Sequence, residues 1–124
     1  MNEKELVING ITYIPKDSVK NSLESAKKLK GLPYVLVRGD RSGVFVGYLK
    51  EEKDKEVILL QSRRIWYWDA ASTISQLATD GTSKPQNCKF PCEVAEIKIK
   101  DVIEIIPCTE KARLSIAGVK IWEQ

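Results

Sequence analysis

The chain has 124 residues, one domain's worth, and 43% of them are apolar, so it can build a single real core. Lys and Arg number 20 against 17 Asp and Glu, a formal charge of +3 with no strongly basic arm, which argues against a grip on a nucleic-acid polymer. There is no histidine, so the commonest general base, zinc ligand and physiological pH switch are all missing.

In chain order, residues 1–32 read as an appendage. Leu6-Val7-Ile8 and Ile11-Thr12-Tyr13-Ile14 flank Asn9-Gly10, the strongest short hairpin signal because both turn positions tolerate positive φ. Pro15 ends the second strand, since it cannot donate to a ladder. Val19, Leu23, Ala26 and Leu29 then recur at helical spacing, so Ser18 to Lys30 is expected to be a helix capped by Asp17 and stopped by Gly31 and Pro33. A lone hairpin and one short helix cannot hold themselves up in water. The piece is therefore expected to dock on a neighbour, another protomer included.

Residues 33–124 form the second unit. Strands are expected at Tyr34 to Arg38 and Val44 to Leu49, joined by the turn Gly39-Asp40-Arg41-Ser42-Gly43. The charged run Lys50 to Glu56 reads as a solvated turn, followed by a buried strand Val57 to Leu60. Arg64-Ile65-Trp66-Tyr67-Trp68 closes the series, with alternation placing Arg64, Trp66 and Trp68 on one face. Ala71 to Thr79 fits a short helix with Gly81 just past its end, and Gly81 to Pro91 a long polar loop. Strands follow at Glu93 to Lys100 and Val102 to Ile106. A second short helix, Thr109 to Ala117, is capped by Thr109 and ended by Gly118, and Val119 to Trp122 reads as a final short strand. The fold class is α+β: a small antiparallel β-barrel or meander core, two short helices in the C-terminal half, and the N-terminal hairpin–helix appendage.

Candidate chemistry is sparse. Cys88, Cys92 and Cys108 lack the fourth ligand of structural zinc and a histidine to activate a thiol, so they read as free thiols of a reducing compartment. The carboxylates lie in charged turns, with no pair in an apolar setting that would shift a pKa. No apolar run approaches the ~20 residues of a membrane span, and no signal-peptide pattern opens the chain. Arg63-Arg64-Ile65-Trp66-Tyr67-Trp68 combines phosphate forks with stacking plates, which suits a nucleotide, although Trp and Tyr are also ordinary filling for a small β-domain. The helix start at Thr109 offers free amides and a hydroxyl to an anion, with Arg113 on the same face and Lys111 nearby; a plain N-cap is the alternative. Asn87, in the polar loop, can read a base edge or a ribose, or simply form a turn.

The strings RRIWYWDAASTISQLA at 63–78, NCKF at 87–90 and IEIIPCTEKARLSIAGVKIWEQ at 103–124 resemble a family of small phage and prophage proteins. Some members of that family are anti-Thoeris sponges of the first type. The resemblance covers about residues 33–124, while the front segment LVINGITYIPKDSV is similar to short modules on other phage proteins. It implies a non-enzymatic protein that binds glycocyclic ADP-ribose, made by TIR enzymes of Thoeris defence, and keeps it intact and away from its effector. Related sponges also hold cyclic oligonucleotides. The resemblance further implies a homo-oligomer (a dimer at least, or a trimer of dimers) with pockets shared between neighbouring protomers, and action in the host bacterial cytoplasm during infection; residues 1–32 are expected from their own pattern to add to that assembly, and the residues themselves lead to no cofactor, no metal and no membrane partner. On this reading the ligand residues are Arg64, Trp68, Gln76, Leu77, Asn87, Thr109 and Arg113, with Arg63 and Lys111 in reserve. Aromatics or Leu77 stack adenine, arginines and the Thr109 helix start hold the pyrophosphate, and Asn87 or Gln76 meets a ribose or adenine edge. The competing readings are a nucleic-acid-binding phage accessory protein and a structural phage protein.

Overall fold

The computed structural model describes residues 24–123. The expected hairpin, its oligomerising role and the first part of the expected helix lie outside the described residues. From Glu24 onward the chain is extended, not helical. Ser25 bridges to Thr109, the Ala26 amide donates to the Cys108 carbonyl at 3.0 Å, and Ala26 is buried. Leu29 and Leu32 then exchange backbone hydrogen bonds across a turn in which Lys30 and Gly31 take φ of 51° and 81°. Helix propensity is a weak preference, and here pairing with residues 108–110 and the burial of Ala26 override it.

Beyond Pro33 the elements are β1 (Tyr34–Gly39), β2 (Val44–Lys53), β3 (Glu56–Ile65), α1 (Ile74–Asp80), a 3-10 turn (Pro85–Asn87), β4 (Val94–Ile99), β5 (Val102–Pro107) and α2 (Glu110–Ala117). All the strand pairings are antiparallel and the sheet order is β4-β3-β2-β1-β5, so the domain is α+β. The charged run expected to form a turn is mostly strand. Both strands run through it and reverse only at Asp54-Lys55, where Asp54 takes a φ of 56°. The two strands expected over 57–68 are one, β3, bulged at Gln61 (φ 49°) and ending at Ile65. The final strand shrinks to a single parallel bridge between Phe90 and Ile121.

The sheet curls without closing. Edge strands β4 and β5 share no ladder, yet only Lys100 and Asp101 join them. Register shifts between Val46 and Tyr48 and between Leu49 and Glu51 bend the β2–β3 hairpin. Its tip returns to β5, where the Val102 amide donates to the Lys55 carbonyl at 3.0 Å. The Asp101 carboxylate pins the β1–β2 turn, accepting from the Arg41 and Ser42 amides and the Ser42 hydroxyl at 2.6–3.0 Å.

Alternation along the strands divides the core in two. Leu36, Val46 and Ile65 meet Leu77, Ala78, Phe90, Ala112 and Ile116 beneath the helices. Val35, Val37, Phe45, Val57, Leu59, Ile99 and Val102 fill the inside of the curl on the other face. Gly81 ends α1 at a φ of 74°, and a Cβ there would run into Ser115 of α2, so the contact between the helices requires glycine. No described helix is long and apolar enough to cross a membrane.

Candidate functional site

The residues expected to hold a ligand do not converge on one pocket. Leu77 is wholly buried between α1 and the sheet and has no face left for adenine. Gln76, exposed on α1, folds back so that its Oε1 accepts from the Ser72 amide and hydroxyl at 2.8 and 2.7 Å. Its own amide donates to the capping Thr73 hydroxyl at 3.1 Å. This is a reciprocal cap, with the side chain satisfying a donor ahead of the helix.

The α2 start is closed as an anion site. The Thr109 hydroxyl accepts from the Ala112 amide at 3.1 Å and donates to the Thr79 carbonyl. The Glu110 amide is taken by the Glu24 carbonyl at 2.9 Å. Arg113 forks onto Glu110 at 2.9 and 2.7 Å, and the same carboxylate accepts the Lys27 amide at 2.7 Å. The Arg113 guanidinium holds the Glu110 carboxyl down at about 2, and the carboxylate in turn raises Arg113 above its ordinary value. Lys111 lies 3.7 Å from Asp80, an exposed pair.

Neighbouring arginines on β3 take opposite faces. Arg63 enters the helix-side core, lies over Phe90 at 5.3 Å, and donates to the carbonyls of Ile116, Val119 and Phe90 at 3.0 Å and of Pro91 at 3.4 Å. It ties the end of α2 to β3 and to the segment before β4, so its role is internal. Burial lowers its pKa from the ordinary value. Arg64 lies on the other side, over Phe45 at 4.4 Å, donating to the Ser42 carbonyl at 2.7 Å. The sheet separates it from Arg113.

What does gather is a ribbon beyond β3. The Trp66 and Tyr67 amides donate to the Lys89 carbonyl at 3.1 and 3.2 Å, and the Lys89 amide returns to the Tyr67 carbonyl at 2.8 Å. Asn87 donates its side-chain amide to Asp69 at 2.8 Å, a bond that lowers the Asp69 pKa. Trp68 turns inward, half-buried against the core, with its indole N–H on the Ala71 carbonyl at 3.1 Å. Ala70 takes a φ of 66°, an uncommon conformation for a residue with a Cβ. The long loop is tied down: Thr82 exchanges two bonds with Ser115 and donates its hydroxyl to the Asp69 carbonyl at 2.7 Å.

The outer side of this ribbon is an aromatic platform. Trp66 is 65% exposed and Tyr67 51%. Trp122, brought in by the Phe90–Ile121 bridge and its own amide bond to the Phe90 carbonyl, stacks on Trp66 with centroids 6.2 Å apart and planes 19° from parallel. The Lys89 ammonium sits 5.5 Å from the Trp122 ring and 6.0 Å from the Tyr67 ring. Lys89 and Trp122 were not singled out from the sequence, because only the long-range bridge brings them beside Trp66. Such a surface can stack a planar ring and place a cation beside an attached phosphate.

An open cleft of about 440 Å³ is lined by Lys53, Asp54, Lys55, Glu56 and Lys100 and has no aromatic wall. Cys88 and Cys108 are buried free thiols, and burial pushes Cys108 up to about 12; Cys92 is exposed. Among the described residues no three His, Cys, Asp or Glu side chains gather to hold a metal.

A family model described as a domain of unknown function (DUF6948) matches residues 32–116, and the chain belongs to that family. No curated protein and no solved structure matches it.

Proposed function

We propose that this chain is a non-enzymatic binding protein that sequesters a small nucleotide signal on the Trp66–Tyr67–Lys89–Trp122 platform. The observation that carries this reading is a near-parallel tryptophan pair, Trp66 exposed and Trp122 half-buried, with an ammonium group held 5.5 Å from the Trp122 ring. A nucleobase stacks on the free face of Trp66, and its phosphates are met by Lys89. The resemblance of residues 33–124 to phage sponges supplies the ligand class, a cyclic ADP-ribose isomer such as glycocyclic ADP-ribose, bound in the host cytoplasm by an oligomer. A ligand held at an open platform with no histidine in the chain meets no imidazole base, which suits storage of a hydrolysable signal.

The test is to load the protein with glycocyclic ADP-ribose, remove free ligand, denature the complex by heat and identify what is released. Intact cyclic ligand in stoichiometric yield is expected. A linearised product would make the protein an enzyme, and no retained ligand would remove the reading. Trp66 and Lys89 also suit single-stranded nucleic acid, which would give binding that rises with strand length and falls with salt.

A further inference from the structure

Edge strand β4 carries a self-complementary pattern. Ala95, Ile97 and Ile99 point to the inside of the curl, with Ile97 half-buried and Ile99 buried against that core. Glu96 and Lys98 point to the outer face, where Glu96 lies 3.6 Å from Lys50 and Lys98 lies 3.5 Å from Glu56. Val94 and Ala95 are exposed, and among the described residues no strand pairs with the outer edge of β4. An edge strand presents unpaired amides and carbonyls that invite another strand.

We infer that β4 pairs antiparallel with β4 of a second copy of this chain, in the register that centres Ile97 on the partner's Ile97. That register sets Glu96 opposite the partner's Lys98, and Lys98 opposite the partner's Glu96. It also places Ala95 across from the partner's Ile99, so the two apolar interiors become continuous. On the outer face the charges run Lys50 on β2, Glu96 on β4, the partner's Lys98 and the partner's Glu56, alternating in sign. The competing registers are worse. A slip of one residue sets Ile97 against the charged face of the other copy. Slips of two set Lys98 against the partner's Lys98 or Glu96 against the partner's Glu96, and like charges directly opposite are destabilising.

The other edge lacks this pattern. On β5, Glu104 is bound to Arg38 at 3.1 Å, the strand carries no cation, and Pro107 has no amide to donate. The occupant argued for is therefore a second copy at β4, on charge complementarity, independently of the nucleotide reading.

The experiment is sedimentation velocity on the full chain across the micromolar range, with circular dichroism confirming that each variant is folded. The wild type is expected to dimerise, more weakly as salt is raised. Glu96→Lys and Lys98→Glu, each alone, place like charges opposite one another and should weaken dimerisation about tenfold or more. The double variant Glu96→Lys/Lys98→Glu restores the opposite pairing and should dimerise again. An equimolar mixture of the two single variants should form a heterodimer, because an all-lysine edge then meets an all-glutamate edge. A monomeric wild type, single variants that dimerise as well as the wild type, or folded single variants that stay apart when mixed would each overturn the inference.

Discussion

Replacing Arg63 by methionine separates the internal role of this side chain from the phosphate-binding role its sequence context suggests. The substitution keeps the length and apolar stem but removes every donor. Three carbonyls, of Phe90, Ile116 and Val119, lose a partner at 3.0 Å, and that of Pro91 loses one at 3.4 Å. A hydrogen bond from a charged donor contributes about 1.5–3 kcal/mol, and a buried carbonyl left alone costs about 1–3 kcal/mol; the Phe90 and Ile116 carbonyls keep the Trp122 and Val119 amides, so the second cost falls mainly on Val119. Because one side chain serves all four and water partly compensates, the contributions do not add. The expected loss is about 2–4 kcal/mol, the worth of one to two charge-assisted hydrogen bonds. Urea unfolding should show this as a midpoint lowered by about 2 M at an unchanged slope. Such a loss is a large part of the ~5–15 kcal/mol that holds a domain together, so Arg63→Lys serves as the milder companion. Its compact ammonium cannot fork across carbonyls of separate segments, and it should fall about 2 kcal/mol short of the wild type. A stability loss below about 1 kcal/mol for Arg63→Met, with weakened nucleotide binding instead, would refute the reasoning.

Other outcomes follow from the same geometry. The Glu110 carboxyl is lowered from 4.5 to about 2 in the folded chain, so its contribution is complete above pH 4.5 and is lost as the pH falls towards 2. Melting temperatures recorded through that window should converge for wild type and Glu110→Gln at the acid end and diverge above it. Thr109→Ala removes both the cap on α2 and the bond to the Thr79 carbonyl, and denaturant unfolding should report a loss of about 1–2 kcal/mol. Gly81→Ala combines a φ of 74° with a clash on Ser115, and should cost about 1–3 kcal/mol in the same assay while leaving secondary structure unchanged. Trp66→Ala should lower stability by only about 0.5–1.5 kcal/mol, the worth of its stack on Trp122, since the ring is 65% exposed, while nucleotide binding weakens by about 1–3 kcal/mol, the range for one base–aromatic stack.

Local patterns in the sequence carried the elements whose causes are local. The Thr109 cap, the Gly118 stop, the Gly81 terminus and the antiparallel strand series all follow from capping, turn chemistry and alternation. What local pattern could not carry was set at a distance. The helical spacing of Ala26 and Leu29 yields to pairing of residues 24–27 with 108–110, and that pairing closes the α2 start against anions. Arg63 and Arg64 look equivalent in the chain, but alternation along β3 sends one beneath the helices and the other over Phe45. The Glu110–Arg113 spacing of three was itself a readable sign that this arginine has an internal partner. Lys89 and Trp122 stand 33 positions apart in the sequence and meet only because Phe90 bridges to Ile121.

The central claim is that the Trp66 platform holds a nucleotide signal. Isothermal titration of glycocyclic ADP-ribose into the wild type and into Trp66→Ala tests it most directly. The account predicts saturable, stoichiometric binding by the wild type and an affinity lower by about 5- to 150-fold in Trp66→Ala, with both proteins folded at the assay temperature. Absent binding by the wild type, or an affinity unchanged by removal of the ring, would contradict it.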